Sequence, residues 1–257
     1  MTTTHVTALY RYPVKGLSPQ QLEKIAVKAG ETLAFDRAWA IENGPGRFDP
    51  EAPRHLPKIN FVMLMRDEKL ATLQAEFDEA DRTLVLKRAG KQVAKGALET
   101  KIGRQMLEQF LAAYMAGSLR GAPKIVSAPG HSFSDVAAKV VHIVNLASVR
   151  ELERKVGRPV DPIRFRPNIV IDGLPAWDEL RLVGTRMRIG AIDLDVMKRT
   201  ERCPATNVDP STGARDMGLP AELQRTWGHA DFGIYARIAS DGELAVGDAV
   251  DAMPSMA

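Results

Sequence analysis

Short strand-like segments, separated by turn-forming residues, recur along most of the sequence and restrict the fold more than any other feature. Near the start, Val6, Ala8 and Tyr10 alternate with residues of the opposite face, as in a strand with one buried side. The continuous apolar segment 61–65 predicts a strand buried on both faces. Further strands are predicted at residues 37–42, 73–77, 83–87, 140–144, 168–172, 187–189, 192–198, 232–238 and 244–250. Many short strands with few helices favour a strand-rich α+β protein with barrel-like sheets.

Turn residues join several of these strands in pairs. A turn at residues 78–82 predicts that the strands on either side form a hairpin. Gly190-Ala191 and Asp241-Gly242 predict two further tight hairpins in the last part of the chain.

Three segments predict helices between the strands. Residues 102–115 place apolar side chains at 102, 106, 107, 110, 111 and 114, on one face of a helix. Residues 146–156 form a second amphipathic segment, with Asn145 as its N-cap and Gly157 at its end. Pro220 suits the first turn of a short third helix.

The chain has 257 residues, enough for one large domain or two smaller ones. A segment with two glycines and a proline, at 117–123, is the predicted boundary. We therefore expect a β-barrel-like N-terminal domain at 1–120 and a second domain at 121–257.

Charge and cysteine content exclude several classes of function. Thirty-five Lys and Arg against 32 Asp and Glu give a net charge of +3, and these charges are scattered, so no nucleic-acid partner is expected. A single cysteine excludes intramolecular disulfides and sites made only of cysteines, and it fits a reducing compartment. No apolar segment approaches the roughly 20 residues that span a bilayer, and the start has no signal-peptide pattern. We expect a cytoplasmic protein without a membrane partner.

The only cysteine, Cys203, follows a predicted strand and begins an irregular loop. A lone cysteine is commonly a small buried apolar residue. Here, however, polar residues flank it, and Arg199 and Arg202 are expected to stabilise its thiolate. Pro204 would fix its position, and a thiolate suits thiophilic metals.

Positively charged side chains mark the ends of other predicted strands. Lys15, Arg37, Arg164 and Arg166 occupy such positions, and Asn168 begins a strand. Taken singly, each charge suits an exposed surface. Together they can converge on one anion, because guanidinium groups fit phosphate oxygens and an amide fits the edge of a heterocycle.

These segments, in this order and over nearly the whole chain, resemble the MOSC domain joined to its N-terminal β-barrel domain, and in particular the amidoxime-reducing reductases of that family. The most specific segment is the Arg-Cys-Pro motif with its downstream Asp-Pro-Ser-Thr-Gly. The segments that carry the resemblance are Tyr12-Pro-Val-Lys15, Asp36-Arg37-Ala-Trp39, Arg164-Phe-Arg-Pro-Asn-Ile-Val-Ile, Glu201-Arg-Cys-Pro-Ala-Thr-Asn-Val-Asp-Pro-Ser-Thr-Gly213 and Leu244-Ala-Val-Gly-Asp248.

The resemblance implies a molybdenum cofactor, in which a pterin dithiolene and a protein cysteine bind the metal. Cys203 matches that ligand and catalytic position. Lys15, Arg37 and Arg166 match residues that hold the pterin ring and its phosphate, with Asn168 nearby.

The same motifs imply three further site residues. Arg202 and Asn207, on either side of the metal ligand, are expected to bind the cofactor. Asp135 matches an acidic catalytic position close to the metal. One departure is Gly16, where the family carries a serine, so that Ser18 is the candidate for the missing hydroxyl.

The resemblance implies an oxidoreductase that reduces N-hydroxylated compounds, N-oxides or S-oxides. The sequence has no dinucleotide-binding loop, since Gly44-Pro-Gly46 lacks the third glycine. The protein is therefore not expected to take electrons from a nicotinamide cofactor directly. A ferredoxin, flavoprotein or haem protein is expected to deliver them. The alternative is a cofactor or sulfur carrier without turnover, in which Cys203 carries a persulfide. The third hypothesis is a structural scaffold in which Cys203 is chemically inert. Pyridoxal phosphate binding is a further expectation at the level of the family.

Overall fold

The computed structural model describes residues 3–44 and 46–253. Within this part, three α-helices and fifteen strands confirm the predicted strand-rich α+β fold. The helices are α1 (Lys101–Tyr114), α2 (Leu146–Val156) and α3 (Leu219–Trp227). The strands are β1 (His5–Arg11), β2 (Gln20–Leu22), β3 (Lys24–Val27), β4 (Ala40–Glu42), β5 (Gln74–Phe77), β6 (Thr83–Arg88), β7 (Lys91–Ala97), β8 (Lys124–Val126), β9 (Val141–Asn145), β10 (Ile169–Asp172), β11 (Arg186–Ile189), β12 (Ile192–Glu201), β13 (Asp231–Ile238), β14 (Gly242–Ala245) and β15 (Val250–Met253).

The largest sheet has eight strands in the order β15-β11-β12-β13-β9-β10-β1-β2, antiparallel except between β9 and β10. It curls back on itself, because the start of β1 also contacts the chain next to β15. Val6 N donates to Asp248 O at 2.9 Å, and Val250 N donates to Thr4 O at 2.8 Å. No ladder joins β2 to β15 among the described residues, so the sheet is curled but not a closed barrel. Its core includes the fully buried Val6, Ile143, Ile171, Leu194 and Ile234.

Strands from the start of the chain pair with strands from its second half. Leu9 in β1 lies opposite Ile169 in β10, and Ile25 in β3 lies opposite Leu244 in β14. Main-chain hydrogen bonds thus cross the expected boundary between residues 120 and 121, and the division into two domains stays a prediction.

A three-stranded sheet, β5-β6-β7, packs against α1 and has its own core. The β5–β6 pair confirms the predicted hairpin. Helix α1 begins after Thr100, whose hydroxyl accepts a hydrogen bond from Gly103 N at 3.0 Å.

Two of the six apolar positions predicted to face inward on α1 are wrong. Ile102 and Met106 are 72% and 53% exposed, whereas Leu107 and Leu111 are buried. The reason is a close backbone contact, since a Cβ on Gly103 would lie only 2.3 Å from a carbonyl oxygen of the adjacent sheet. That contact orients α1 so that residues 103, 107 and 111 face the sheet.

The predicted strand at 61–65 is also wrong. Phe61 forms one isolated bridge with Glu42, and the chain then turns, with Asp67 N donating to Met63 O at 2.8 Å. The Asp67 carboxylate accepts from Met63 N at 3.1 Å and holds this turn. The segment is apolar because the loop packs inside the protein, with Val62 only 1% exposed.

Two other predictions, one for a strand and one for a hairpin, also fail. The strand expected from residue 37 begins only at Ala40, because Phe35 and Arg37 have φ values of 63° and 54°. The hairpin expected at Asp241-Gly242 does not form, since β14 pairs with β3. The Asp241 carboxylate accepts from Ala29 N at 2.7 Å and directs the chain toward β3.

The remaining helix and hairpin predictions are confirmed. Asn145 caps α2 by accepting from Ala147 N at 3.1 Å, and Gly157 ends it with φ 71°. Helix α3 has proline in its first turn, and β11 and β12 form the hairpin expected at Gly190. None of the helices in the described residues has the length and apolar character to cross a membrane.

We expect Asn145→Ala to lower the free energy of unfolding by about 1–3 kcal/mol, because it removes a helix cap and a donor to the buried Glu179 carboxylate, 3.0 Å away. Thr100→Ala removes the cap of α1 and an exposed local hydrogen bond to Ala97 O, and it should cost about 1 kcal/mol. Denaturant titration measures both. Equal losses would show that the contacts of the Asn145 amide with Glu179 and Pro175 O add nothing beyond the cap.

Candidate functional site

A cleft forms where loops from both halves of the chain meet at the side of the large sheet. The loop after β1, the segment before β4, the loop before β9 and the loop after β12 all contribute to it. It contains seven of the eight residues predicted for the site, namely Lys15, Arg37, Asp135, Arg166, Asn168, Arg202 and Cys203.

Two arginines lie over one buried aromatic ring at the base of this cleft. The guanidinium carbons of Arg37 and Arg166 are 4.7 and 4.1 Å from the centre of the Tyr12 ring. Both arginines have left-handed backbones, with φ values of 54° and 53°, which is uncommon outside glycine. Arg37 Nη2 also donates to the carbonyl oxygen of Arg166 at 3.4 Å. The ring attracts both cations and brings like charges together.

A buried carboxylate neutralises one of these two arginines. The Asp36 side chain is 3% exposed, and it pairs with Arg37 Nη1 and accepts from Tyr12 N at 2.8 Å. Burial lowers the pKa of Arg37, but the Asp36 carboxylate together with Tyr12 and Tyr235 more than offsets it, so that the pKa is raised. Arg37 is therefore firmly charged and fixed in place.

Arg166 has no such partner. Its Nη1 donates to Leu17 O at 2.9 Å, while its Nη2 is buried without a hydrogen-bond partner in the described part of the chain. Burial, and then the neighbouring Arg37, lower the pKa of Arg166 to about 10. A buried N–H group without an acceptor is costly, and an anionic oxygen would satisfy it.

Lys15 and Asp135 form an ion pair at the side of the cleft. Lys15 Nζ also donates to Phe133 O at 2.7 Å, and Lys58 lies 3.8 Å from the same carboxylate. Burial lowers the pKa of Lys15, and Asp135 opposes that effect. Burial raises the pKa of Asp135, but Lys15 and Lys58 overcome it and bring the pKa down to about 2. Asp135 is therefore ionised at neutral pH.

Cys203 enters the cleft from the end of β12. Its extended backbone precedes a short 3₁₀ turn at residues 204–207, and its carbonyl oxygen accepts from Thr206 N at 3.1 Å. The side chain is half-buried, as a reactive thiol requires. Arg202 lies beside it, with Nη2 donating to Phe165 O at 2.8 Å. Burial lowers the pKa of Arg202, and the Cys203 thiol is among the groups that raise it.

The other arginine expected beside the thiol lies elsewhere. Arg199 Nε donates to Leu180 O at 3.1 Å, and its guanidinium is 3.8 Å from Asp231. It is a residue of β12, opposite Ile234, and it does not line the cleft.

Three further polar side chains that were expected at the site make hydrogen bonds to the main chain. The Asn168 amide donates to Tyr10 O and accepts from His142 N, both at 3.1 Å, so it joins strands beneath the cleft. Asn207 lies outside the cleft and accepts from Leu219 N at 2.9 Å, at the start of α3. Ser18 accepts from Ala75 N at 2.7 Å.

Sequence reasoning missed several residues that line the cleft. Tyr235 and His142 face it from the neighbouring strands β13 and β9, and their rings are 5.4 Å apart. Burial, and then Arg202, hold the pKa of His142 well below its usual range, so the ring is neutral. The only sequence signal for either was a polar group within an apolar strand, which also suits a core residue. Lys58 carried no signal for the site, and residues 63–65 were predicted only as part of a buried strand.

The cleft can therefore hold an anion next to a thiol. Among the described residues, five positively charged side chains and one carboxylate line it, together with Cys203. No group of three or more His, Cys, Asp or Glu in this part of the chain could by itself hold a metal ion. A metal at Cys203 would need most of its ligands from a bound molecule.

Comparison with known proteins identifies the family. Residues 3–120 match the MOSC N-terminal beta barrel domain, and residues 128–251 match the MOSC domain. Human mitochondrial amidoxime-reducing component 1 is 26% identical over 286 aligned positions, covering 95% of this chain and 82% of that protein. The molybdenum cofactor sulfurase of Caenorhabditis elegans is 37% identical over 99 residues, covering 37% of this chain and 14% of that protein.

One solved structure, the YUAD protein from Bacillus subtilis, covers 97% of this chain and 94% of its own at 13% identity, with a TM-score of 0.45. The two domain matches account for nearly all of the sequence, in the order expected from its motifs. The chain belongs to the MOSC family and carries both the MOSC domain and the MOSC N-terminal domain.

Proposed function

We propose that the cleft binds a molybdenum cofactor and that the protein reduces N-hydroxylated compounds, N-oxides or S-oxides. The observation that carries this proposal is that a half-buried thiol and an unsatisfied buried guanidinium, those of Cys203 and Arg166, line one cleft. A ligand that joins a thiophilic metal to a phosphate would satisfy both groups.

The residues present fit the anionic end of such a ligand. Arg166 Nη2 and Arg202 Nε are both buried without partners among the described residues, so each has a donor to offer. Arg37 is fixed by Asp36, and Lys15 would exchange its contact with Asp135 for the new anion. Each charge-assisted hydrogen bond of this kind contributes about 1.5–3 kcal/mol.

The thiol fits the metal end. In this proposal the Cys203 sulfur would be the protein ligand, and a pterin dithiolene would supply the other sulfur ligands. Asn168 holds the strands beneath Arg166 in register, and Asn207 anchors the loop of Cys203 to α3. Both residues thus support the cofactor site through the main chain.

The reaction that suits this site removes one oxygen from the substrate. Two electrons and two protons convert an N–OH group into N–H and water. When bound, the cofactor supplies the two-electron redox chemistry. Asp135, ionised and half-exposed, is placed to accept a hydrogen bond from the substrate rather than to donate the first proton.

Electrons come from a separate carrier protein in this proposal. The human relative is named a component, which suits a protein that works with others. The net charge of +3 favours an acidic carrier, and such encounters use small polar interfaces. The expected binding of pyridoxal phosphate stays a prediction.

A second candidate function is transfer of the cofactor or of its sulfur without turnover. The similarity to a molybdenum cofactor sulfurase favours it, and a half-buried thiol in a basic cleft suits a persulfide. Loaded protein that never reduces any oxide with any electron source would support this candidate against the reductase.

Cys203→Ala should abolish turnover. Protein made in a molybdate-fed host that synthesises the cofactor should carry close to one molybdenum per chain, measured by mass spectrometry of the metal. With reduced viologen as donor, the variant should lose reduction of an N-hydroxylated compound, because the metal loses its protein ligand. Cys203→Ser serves as the size-matched control, and melting curves test the fold. Full activity of the alanine variant would reject the ligand assignment.

Arg166→Ala should weaken cofactor retention about tenfold or more, because one charge-assisted contact is lost. The matched control is Arg186→Ala, since Arg186 is an exposed arginine on the outer face of the sheet, paired with Asp195. The pterin that remains after dialysis is measured by fluorescence for both variants. Equal retention would mean that Arg166 is not part of the anion site.

NADH alone should give no turnover with the pure protein, whereas NADH with a reductase and an acidic carrier should. The rate should fall as ionic strength rises, because opposite charges steer the encounter. Steady-state assays from low to high salt measure this. Turnover with NADH and this chain alone would refute the need for a carrier.

A further inference from the structure

A buried arginine outside the cleft contacts the loop of Cys203 at three points. The Arg164 side chain is 3% exposed. Its Nη2 donates to Asp209 Oδ2 at 3.0 Å, its Nη1 lies 2.8 Å from Asp216 Oδ1, and the same Nη1 approaches Thr206 O at 3.5 Å. All three partners lie between residues 206 and 216, the segment that follows the thiol.

The loop itself is folded around one of these partners. Asp209 Oδ1 accepts from Ser211 N at 2.9 Å and from Thr212 N at 2.8 Å, while Oδ2 faces Arg164. Burial opposes ionisation of Asp209, but the hydrogen bonds from the hydroxyl and main-chain N–H groups of Ser211 and Thr212 outweigh it and hold its pKa far below the ordinary value. The loop therefore presents a fixed negative charge to the buried guanidinium.

Arg164 belongs to the same short turn, Pro162–Phe165, that organises the base of the cleft. The carbonyl oxygen of Phe165 accepts from Arg202, and the next residue is Arg166. One turn thus fixes the thiol loop on one side and two cofactor-site arginines on the other.

We infer that Arg164 is a positioning residue for Cys203. It ties the loop to the Pro162–Phe165 turn, so that the thiol keeps its place relative to the anion site. The functional importance of this placement rests on the proposed cofactor function, but the placement itself does not. Without Arg164, the Asp209 and Asp216 carboxylates lose their shared buried cation, so that the loop opens more readily.

The test uses the fact that Cys203 is the only cysteine, so any thiol reagent reports on this loop alone. The rate of reaction with an aromatic disulfide is measured for the wild type, Arg164→Gln, Arg164→Lys and Arg158→Gln, well below each melting temperature. Arg158 is the matched control, because it pairs with the same Asp216 but is 49% exposed.

Arg164→Gln should raise the rate about fivefold or more, as expected when the loop opens more readily. Arg164→Lys should be intermediate, and Arg158→Gln should stay within about twofold of the wild type. If Arg164→Gln does not fold, Arg164→Lys carries the test. A rate equal to that of the Arg158 control, with a lower melting temperature, would show that Arg164 serves stability only and would overturn the inference.

Molybdenum content separates this inference from the proposed function. If the wild type never takes up molybdenum but the Arg164 variants react faster, the cofactor proposal fails and the positioning inference stands. If the wild type holds molybdenum and the thiol rates do not differ, the positioning inference fails alone.

Discussion

The close burial of positive charges is the constraint on which the rest of the cleft depends. Arg37 and Arg166 both lie over the ring of Tyr12, and each has a left-handed backbone that packing must enforce. Asp36 neutralises Arg37 but not Arg166, whose pKa falls to about 10. The fold therefore maintains an unfavourable arrangement, which an anion would relieve. Backbone strain and an unpaired buried charge in the same cleft are typical of a preorganised binding site.

The strand order explains how this arrangement is assembled. Pairing of β1 with β10 sets the loop that carries Lys15 beside Arg166, and the loop after β12 then brings Cys203 to the same cleft. Apart from the loop residues at 58–65 and 134–135, the cleft residues lie within a strand or close to the end of a strand or short turn. Side chains on such rigid supports keep their mutual distances, which matters for a ligand that must bind a thiol and several cations together.

The sequence predicted which residues line the cleft better than it predicted their contacts. Lys15, Arg37 and Cys203 could be found because residue type and motif carry the information, and α2 because its cap and its C-terminal glycine are local signals. Asn207 was expected at the cofactor, yet its amide bonds to the start of α3, a partner that only the tertiary fold reveals. The same limit explains the errors at 61–65 and at β14. An apolar loop looks like a buried strand, and a turn signal does not say which strand comes next.

The pairing of β1 with β10 also has a consequence for synthesis on the ribosome. Thr7 and Val170, which are in contact across this pair, are 163 residues apart in the chain. At translation rates of about 5–20 residues per second, β1 waits roughly 10–30 s before its partner has been made. During that time an apolar strand has no neighbour on the side that β10 will occupy, and unpaired strand edges invite association with other chains. The same long-range pairing that builds the cleft thus leaves one edge of β1 unpaired in the nascent chain until the second half of the chain emerges.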